Sequence, residues 1–265
     1  MSVRPAFDRA REEGRAALVG YLPAGFPDVD GGIDALRTMV ESGCDVLEVG
    51  LPYSDPVMDG PTIQAAAQQA LDRGVRTADV LRTVEAVAAT GTPTVVMTYW
   101  NPVDRYGVMR FARDLASAGG AGLITPDLTP DSDPQWAEAA DAHALDKIFL
   151  VAPSSTDERI AMTTAACRGF VYATAVMGVT GARESTSDLA EPLVARTRAT
   201  TDLPVAVGLG VSTGAQAGTV ASYADGVIVG SAFVRTLLDH PEDRRAGLAA
   251  LAELTGELAE GVRGA

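Results

Sequence analysis

The sequence predicts an α/β protein in which eight parallel strands alternate with helices and close into a barrel. Short runs rich in Val, Ile and Leu recur along the chain, and each is followed by a turn and a longer, Ala-rich amphipathic segment. The chain has 265 residues, and a barrel of eight such units typically needs about 250. Repeated alternation and length together favour one closed barrel.

Eight apolar runs are the candidate strands. They lack the period-two alternation of a half-exposed strand, which favours strands buried on both faces of a parallel sheet. The runs cover residues 17–22, 46–49, 94–98, 122–124, 148–151, 170–173, 204–207 and 226–229.

Amphipathic segments with helical spacing separate these runs, and one near residues 4–13 precedes the first strand as an extra N-terminal helix. Strands joined through helices must run parallel, which a closed barrel satisfies. The other predicted helices lie near residues 31–41, 63–72, 77–89, 109–118, 135–144, 157–165, 187–197, 213–222 and 244–260.

The predicted fold is therefore a (β/α)8 TIM barrel that forms a single domain over residues 1–265. An open doubly wound sheet is the alternative, but its glycine fingerprint is missing. Gly208 and Gly210 are followed by Gly214 and not by a third glycine at the required spacing. No linker or low-complexity segment divides the chain.

Charge and composition exclude several classes of function. The formal net charge of -14 repels a nucleic-acid backbone, and no basic block offsets it. No segment resembles a membrane span or a signal peptide, and Cys44 and Cys167 form no pairing motif. We therefore expect a cytoplasmic protein that binds neither nucleic acid nor membrane.

Carboxylates follow the second predicted strand, at the end of a barrel where catalytic groups lie. Glu48 lies in the last turn of the strand, and Asp55 and Asp59 lie in the loop EVGLPYSDPVMDGPT that runs from Glu48 to Thr62. An inward-pointing glutamate needs a partner or a function, because burying a lone carboxylate is costly. The alternatives are a solvent-facing Glu48 and two aspartates that only stabilise a turn.

This loop resembles the signature region of the tryptophan synthase alpha subunit. Other segments match the same family in the same order and extend the resemblance over most of the chain. They are MTYWNP from Met97, TPDL from Thr125, VAPS from Val151, GVTG from Gly178, GLGVS from Gly208 and GSA from Gly230.

The resemblance implies a lyase that cleaves indole-3-glycerol phosphate to indole and glyceraldehyde 3-phosphate in a retro-aldol reaction. Glu48 matches the family's general acid and base, and Asp59 matches the carboxylate that binds the indole N–H. Tyr172 matches a tyrosine near that glutamate, although a strand-end aromatic could equally belong to the core. Tyr21, Met97 and Leu209 would line the indole pocket.

Elementary chemistry agrees with this reaction class. Cleavage of a carbon–carbon bond needs an electron sink, which enzymes often supply as a lysine Schiff base or a metal ion. Lys147 is the only lysine and starts the fifth predicted strand, at the face opposite the active loops. His143 and His240 are isolated, so we expect no metal site. A protonated indole ring carries its own sink and requires only carboxylates.

A phosphoester substrate needs a local positive site in this acidic chain, and backbone N–H groups at glycine turns can provide one. Gly208 and Gly210 follow the seventh predicted strand, and Gly230 and Ser231 follow the eighth, where barrels often bind phosphate. Gly181, in the loop after the sixth strand, would complete the site. A simple helix-entry turn is the alternative for the first pair.

The family's alpha subunit works in an α2β2 complex and passes indole to the beta subunit, whose pyridoxal phosphate is the complex's cofactor. By resemblance this chain holds no cofactor, and Pro52, Asp55 and Asn101 lie in segments that contact beta. Two other hypotheses remain open. One is a partner-activating subunit with little chemistry of its own, and the other is a phosphate-binding barrel isomerase.

Overall fold

The computed structural model of the chain describes residues 2–174 and 187–264. Its strands form one parallel sheet. They are β1 (Ala17–Pro23), β2 (Val46–Gly50), β3 (Thr94–Met97), β4 (Gly122–Ile124), β5 (Asp146–Ile148), β6 (Leu150–Val151), β7 (Val171–Thr174), β8 (Val205–Gly208) and β9 (Gly226–Val229).

Helices separate most of these strands, and one precedes the sheet. They are α1 (Arg4–Glu12), α2 (Val29–Glu41), α3 (Pro61–Asp72), α4 (Thr77–Ala88), α5 (Trp100–Tyr106), α6 (Val108–Ser117), α7 (Pro134–Ala142), α8 (Asp157–Ala166), α9 (Ser187–Arg198), α10 (Gly214–Ala221), α11 (Ser231–Leu238) and α12 (Arg244–Arg263). None of the helices in this part of the chain has both the length and the apolar character needed to cross a bilayer.

The sheet is a nearly closed barrel. Neighbouring strands follow the order β5-β4-β3-β2-β1-β9-β8-β7-β6. Because β5 and β6 stand at the two ends of that order and only Phe149 separates them, the chain itself completes the ring. The predicted (β/α)8 TIM barrel with an extra N-terminal helix is confirmed.

The limits predicted for the fifth strand, residues 148–151, were wrong. The observed strand begins at Asp146 and is interrupted at Phe149. β5 pairs with β4, whereas β6 pairs with β7. The backbone carbonyl of Phe149 accepts a hydrogen bond from the Tyr172 amide at 3.2 Å. The strand is thus broken where its pairing changes from one neighbour to the other, which an apolar run in the sequence does not reveal.

Two helices, α5 and α11, were not predicted from the sequence. In α5, Pro102 is the third residue, and a proline is tolerated there because first-turn N–H groups have no partner within the helix. The other is α11, which begins directly after Gly230 with the short, apolar segment SAFVRTLL. No helix was predicted in either segment.

The interior of the barrel is filled by small and branched side chains, and α1 covers its N-terminal end. Val3 at the N-cap of α1 and Ala6, Phe7 and Ala10 on the helix belong to the same buried cluster as inward residues of the strands. The Phe7 ring lies 5.1 Å from the ring of Phe170, centroid to centroid. The N-terminal helix is therefore part of the barrel's core.

A buried carboxylate fastens this helix. Asp146, at the start of β5, is fully buried, and its Oδ2 accepts hydrogen bonds from the Ser2 hydroxyl and the Val3 amide, both at 2.8 Å. Its Oδ1 lies 3.3 Å from Nε of Arg168. Asp146 thus connects Ser2 and Val3 to a strand that lies 144 positions after Ser2 in the sequence.

We expect Phe7→Ala to lower the free energy of unfolding by about 3–5 kcal/mol, because the change removes a buried aromatic ring and leaves a cavity. Phe7 is only 2% exposed. Urea denaturation of both proteins measures the difference. Met109→Ala is the control, since Met109 is 51% exposed and its loss should change stability by about 0.5 kcal/mol or less. Equal stability of Phe7→Ala and the parent chain would contradict a core role for α1.

Candidate active site

A pocket opens at the C-terminal ends of the barrel strands. Ten of the sequence-predicted site residues line it, and they come from segments far apart in the chain. They are Tyr21, Glu48, Asp59, Met97, Tyr172, Gly208, Leu209, Gly210, Gly230 and Ser231. The fold therefore gathers these residues around one space.

Strand alternation explains why Glu48 points into the barrel. Val46 belongs to the interior cluster, whereas Leu47 and Val49 pack outward against the helices. Side chains two residues apart lie on the same face of a strand, so Glu48 follows Val46 inward. The parallel register places Tyr21 of β1 directly beside Glu48.

Glu48 is buried without a polar partner. Its side chain is 0% exposed, and neither carboxyl oxygen has a hydrogen-bond partner among the described residues. Burial penalises the charged form and raises the pKa of Glu48 to about 8. A carboxyl group of this kind holds a proton at neutral pH and can also release it, as a general acid and base must.

This raised pKa predicts a pH-dependent stability. Between the ordinary pKa of 4.5 and a folded-state pKa of about 8, the folded chain keeps a proton that the unfolded chain releases. Stability therefore falls as pH rises through this window, by about 1.4 kcal/mol per pH unit from this group alone. We expect the stability advantage of Glu48→Gln over the parent chain to grow between pH 5 and pH 8 in urea denaturation. A constant difference would contradict the raised pKa.

Asp59 lies in the loop between β2 and α3 and is partly buried. Its Oδ1 accepts a hydrogen bond from the Tyr99 hydroxyl at 3.1 Å. Burial raises the pKa of Asp59, and the bond from Tyr99 offsets part of that rise. The side chain amide of Gln64 donates to the Asp59 backbone carbonyl at 2.8 Å. The loop is thus held on both sides of the carboxylate.

Two tyrosines enclose the pocket floor, and each lies over a glycine. A Cβ on Gly50 would come within 2.3 Å of the Tyr21 hydroxyl, and one on Gly208 within 2.4 Å of the Tyr172 hydroxyl. Only glycine leaves room for these rings. Burial raises the pKa of both tyrosines, and the nearby Glu48 contributes, so both hydroxyls stay protonated at neutral pH.

Glycines also contribute backbone groups to the pocket lining, at Gly208, Gly210 and Gly230. Gly210 has a left-handed φ of 81°, which glycine adopts without strain. Gly230 precedes α11, and no side chain caps that helix. First-turn N–H groups and the helix dipole favour an anion at such a position. Gly181, which was predicted to complete the phosphate site, lies outside the described residues.

Six further residues line the same pocket and were not predicted from the sequence. They are Met58, Ile63, Pro126, Leu150, Thr174 and Ile228. Strand alternation could have identified Ile228, which faces the barrel interior with the other inward residues of the strands. The contribution of Ile63, in the first turn of α3, depends on how that helix packs and carries no sequence signal.

The residues predicted to contact a partner do not line the pocket. Asp55 and Asn101 are exposed, whereas Pro52 is buried and lies inside the loop. Val57, in the same loop, is 74% exposed and is among the most accessible large apolar side chains described. The Asn101 side chain donates to the Tyr53 hydroxyl at 3.0 Å. This loop and the start of α5 thus form one surface beside the pocket.

Groups that would support other lyase chemistry lie elsewhere. Lys147 is in β5, where it donates to Asp141 at 2.7 Å, at the end of the barrel opposite the pocket. Within the described ranges, no three His, Cys, Asp or Glu side chains are grouped so that they could hold a metal ion. The pocket's own titratable groups are carboxyls and tyrosines.

A TIM barrel with a buried, unpaired glutamate at its strand ends belongs to the class of barrel enzymes that use acid/base chemistry. The family model described as tryptophan synthase alpha chain matches residues 7–263. The chain belongs to the tryptophan synthase alpha chain family.

Individual relatives agree with that assignment. The chain is 67% identical to the tryptophan synthase alpha chain of Salinispora arenicola over 258 residues, covering 97% of this chain and 96% of the relative. A Mycobacterium tuberculosis tryptophan synthase structure superposes with a TM-score of 0.93 at 59% identity, covering 98% of each chain. The alpha subunit structure from Legionella pneumophila gives a TM-score of 0.90 at 29% identity, covering 100% of both chains.

Proposed function

We propose that the chain is the alpha subunit of a tryptophan synthase and cleaves indole-3-glycerol phosphate to indole and glyceraldehyde 3-phosphate. The observation that carries the proposal is Glu48, a fully buried carboxyl group without a polar partner, in the same pocket as Asp59. Family membership supplies the reaction, and the pocket supplies groups that can perform it.

Glu48 would act as the general acid and base. Its carboxyl group donates a proton to C3 of the indole ring, which makes the ring an electron sink. The Glu48 carboxylate left by that transfer then accepts the proton of the glycerol hydroxyl as the carbon–carbon bond breaks. The bonding electrons return to the ring, and the aldehyde forms. A pKa of about 8 suits both steps near neutral pH.

Asp59 would accept a hydrogen bond from the indole N–H. Positive charge develops on the ring nitrogen after C3 is protonated, and a nearby carboxylate stabilises that charge more than it stabilises the neutral substrate. Tyr21, Met97, Tyr172 and Leu209 supply the pocket walls for the ring.

The substrate phosphate would bind at the glycine-rich side of the pocket. Gly208, Gly210, Gly230 and Ser231 lie there together, and the N-terminus of α11 begins at this point. These groups bind an anion through backbone N–H donors. They can do so despite the formal net charge of -14.

The partner would be a beta subunit that receives the indole, in an α2β2 complex. Pyridoxal phosphate would belong to beta, and this chain would need no cofactor of its own. The exposed Asp55 and Asn101 beside the pocket are suited to contact that partner, with Pro52 shaping the loop from inside. We further propose that the complex works in the cytoplasm.

The proposal is tested by measuring indole release from indole-3-glycerol phosphate by the purified chain, alone and with a beta subunit. We expect release in both cases and a faster rate with beta. Failure of the folded chain to release indole under either condition would contradict the lyase. If Glu48→Gln still stimulated beta as well as the parent chain does, the partner-activating role would stand apart from the chemistry.

A further inference from the structure

Tyr99 lies between the pocket and the exposed loop surface but does not line the pocket. It is the N-cap of α5 and is 5% exposed. Its hydroxyl accepts a hydrogen bond from the Met58 amide at 2.9 Å and donates one to Asp59 Oδ1 at 3.1 Å. One hydroxyl therefore binds both the backbone and the carboxylate of the loop that carries Asp59.

The Tyr99 ring is itself held from the outer side. The rings of Tyr53 and Tyr99 are 5.4 Å apart between centroids and are tilted by 37°. The hydroxyl of Tyr53 accepts a hydrogen bond from the exposed Asn101 side chain. Contacts thus run without a gap from Asn101 through Tyr53 and Tyr99 to Asp59.

We infer that Tyr99 is a positioning residue that sets the orientation of the Asp59 carboxylate, and that Tyr53 holds the Tyr99 ring for this purpose. The importance of Tyr99 for turnover rests on the proposed function, whereas its contacts with Asp59 and Tyr53 do not depend on that function. A buried tyrosine ring has little rotational freedom, so a hydrogen bond from it fixes a loop carboxylate more firmly than solvent would.

The pKa of Asp59 can be measured directly and reports on the hydrogen bond from Tyr99. Among the described residues, the titratable groups near it are Tyr99, Tyr21 on β1 and Glu48 on β2. In that part of the chain the tyrosines are neutral and Glu48 is protonated near pH 7, and the hydrogen bond from Tyr99 favours ionised Asp59. Loss of this donor should raise the pKa of Asp59.

The test is a pH titration of the Asp59 carboxyl carbon by NMR in protein labelled with ¹³C-aspartate, with Asp59→Asn used for assignment. We expect Tyr99→Phe to raise the titration midpoint by about one pH unit, because hydrogen bonds to charged groups are strong. Tyr53→Ala should raise it by less. An unchanged Asp59 midpoint in Tyr99→Phe would overturn the inference. An unchanged midpoint in Tyr53→Ala would show that Tyr53 does not hold the Tyr99 ring for this purpose.

Tyr106→Phe is the matched control. It also removes a tyrosine hydroxyl that donates to an aspartate, since Tyr106 bonds Asp114 at 2.8 Å on the outer helices. Its Asp59 midpoint should equal that of the parent chain.

Turnover provides a second readout. In Tyr99→Phe we expect kcat/KM for indole release to be about tenfold lower, and the acidic limb of its pH profile to move upward together with the Asp59 midpoint. An acidic limb that stays at its position in the parent chain would overturn the inference. The titration needs no substrate, so a parent chain without lyase activity would contradict the proposed function and leave the titration to decide on Tyr99.

Discussion

Glu48→Gln should lower kcat for indole release by about 10²–10⁴-fold, the usual contribution of a general acid/base group. Glutamine has nearly the same shape but cannot exchange the proton. Because Glu48 makes no hydrogen bond in the described structure, the substitution breaks no existing polar contact. Steady-state measurement of indole release gives the loss directly, and calorimetry with the uncleaved substrate gives the affinity.

We expect the affinity of Glu48→Gln to stay within a few-fold of the parent value, since the group acts on the transition state. The control is Glu253→Gln on α12, where the same change falls on an exposed side chain and should leave kcat unaltered. Parent-like turnover in purified Glu48→Gln would remove Glu48 from the mechanism.

Asp59→Asn should lower kcat by about 10²–10³-fold, as removal of one transition-state-stabilising group commonly does. Asparagine keeps an oxygen that can accept from the indole N–H and from Tyr99, but it carries no charge. The loss should therefore appear in kcat more than in KM, because positive charge on the ring develops only during the reaction. Steady-state kinetics over a range of substrate concentrations separates the two.

Asp104→Asn, on the exposed side of α5, is the control for this substitution and should behave like the parent chain. If Asp59→Asn raised KM alone and left kcat unchanged, Asp59 would contribute only to ground-state binding. The prediction that this carboxylate stabilises the developing positive charge would then be wrong.

Much of the fold follows from the sequence because barrel strands are short, apolar and separated by amphipathic helices. The inward direction of Glu48 also follows, since Val46 two residues earlier has to face the core. Ten of the sixteen residues that line the pocket were predicted, mainly because motifs shared with the family follow strands whose ends meet in a parallel barrel.

The remaining features depend on contacts between distant segments. The break at Phe149 reflects a change of neighbouring strand, and the hydrogen bonds of Tyr99 depend on how the loop after β2 meets the end of β3. The burial that raises the pKa of Glu48 arises from the assembled barrel. Local propensity and periodicity carry no record of these contacts.

The hydrogen bonds between the start of α1 and Asp146 join a segment that is synthesised early to one that is synthesised much later. Ser2 and Asp146 are 144 positions apart, so the first helix leaves the ribosome long before its anchor exists. The apolar face bearing Phe7 has no complete barrel end to cover until Phe170 and the later strands have also been synthesised. A nascent chain stalled before β5 would expose that face to chaperones and proteases, and the last step of barrel closure would bury it.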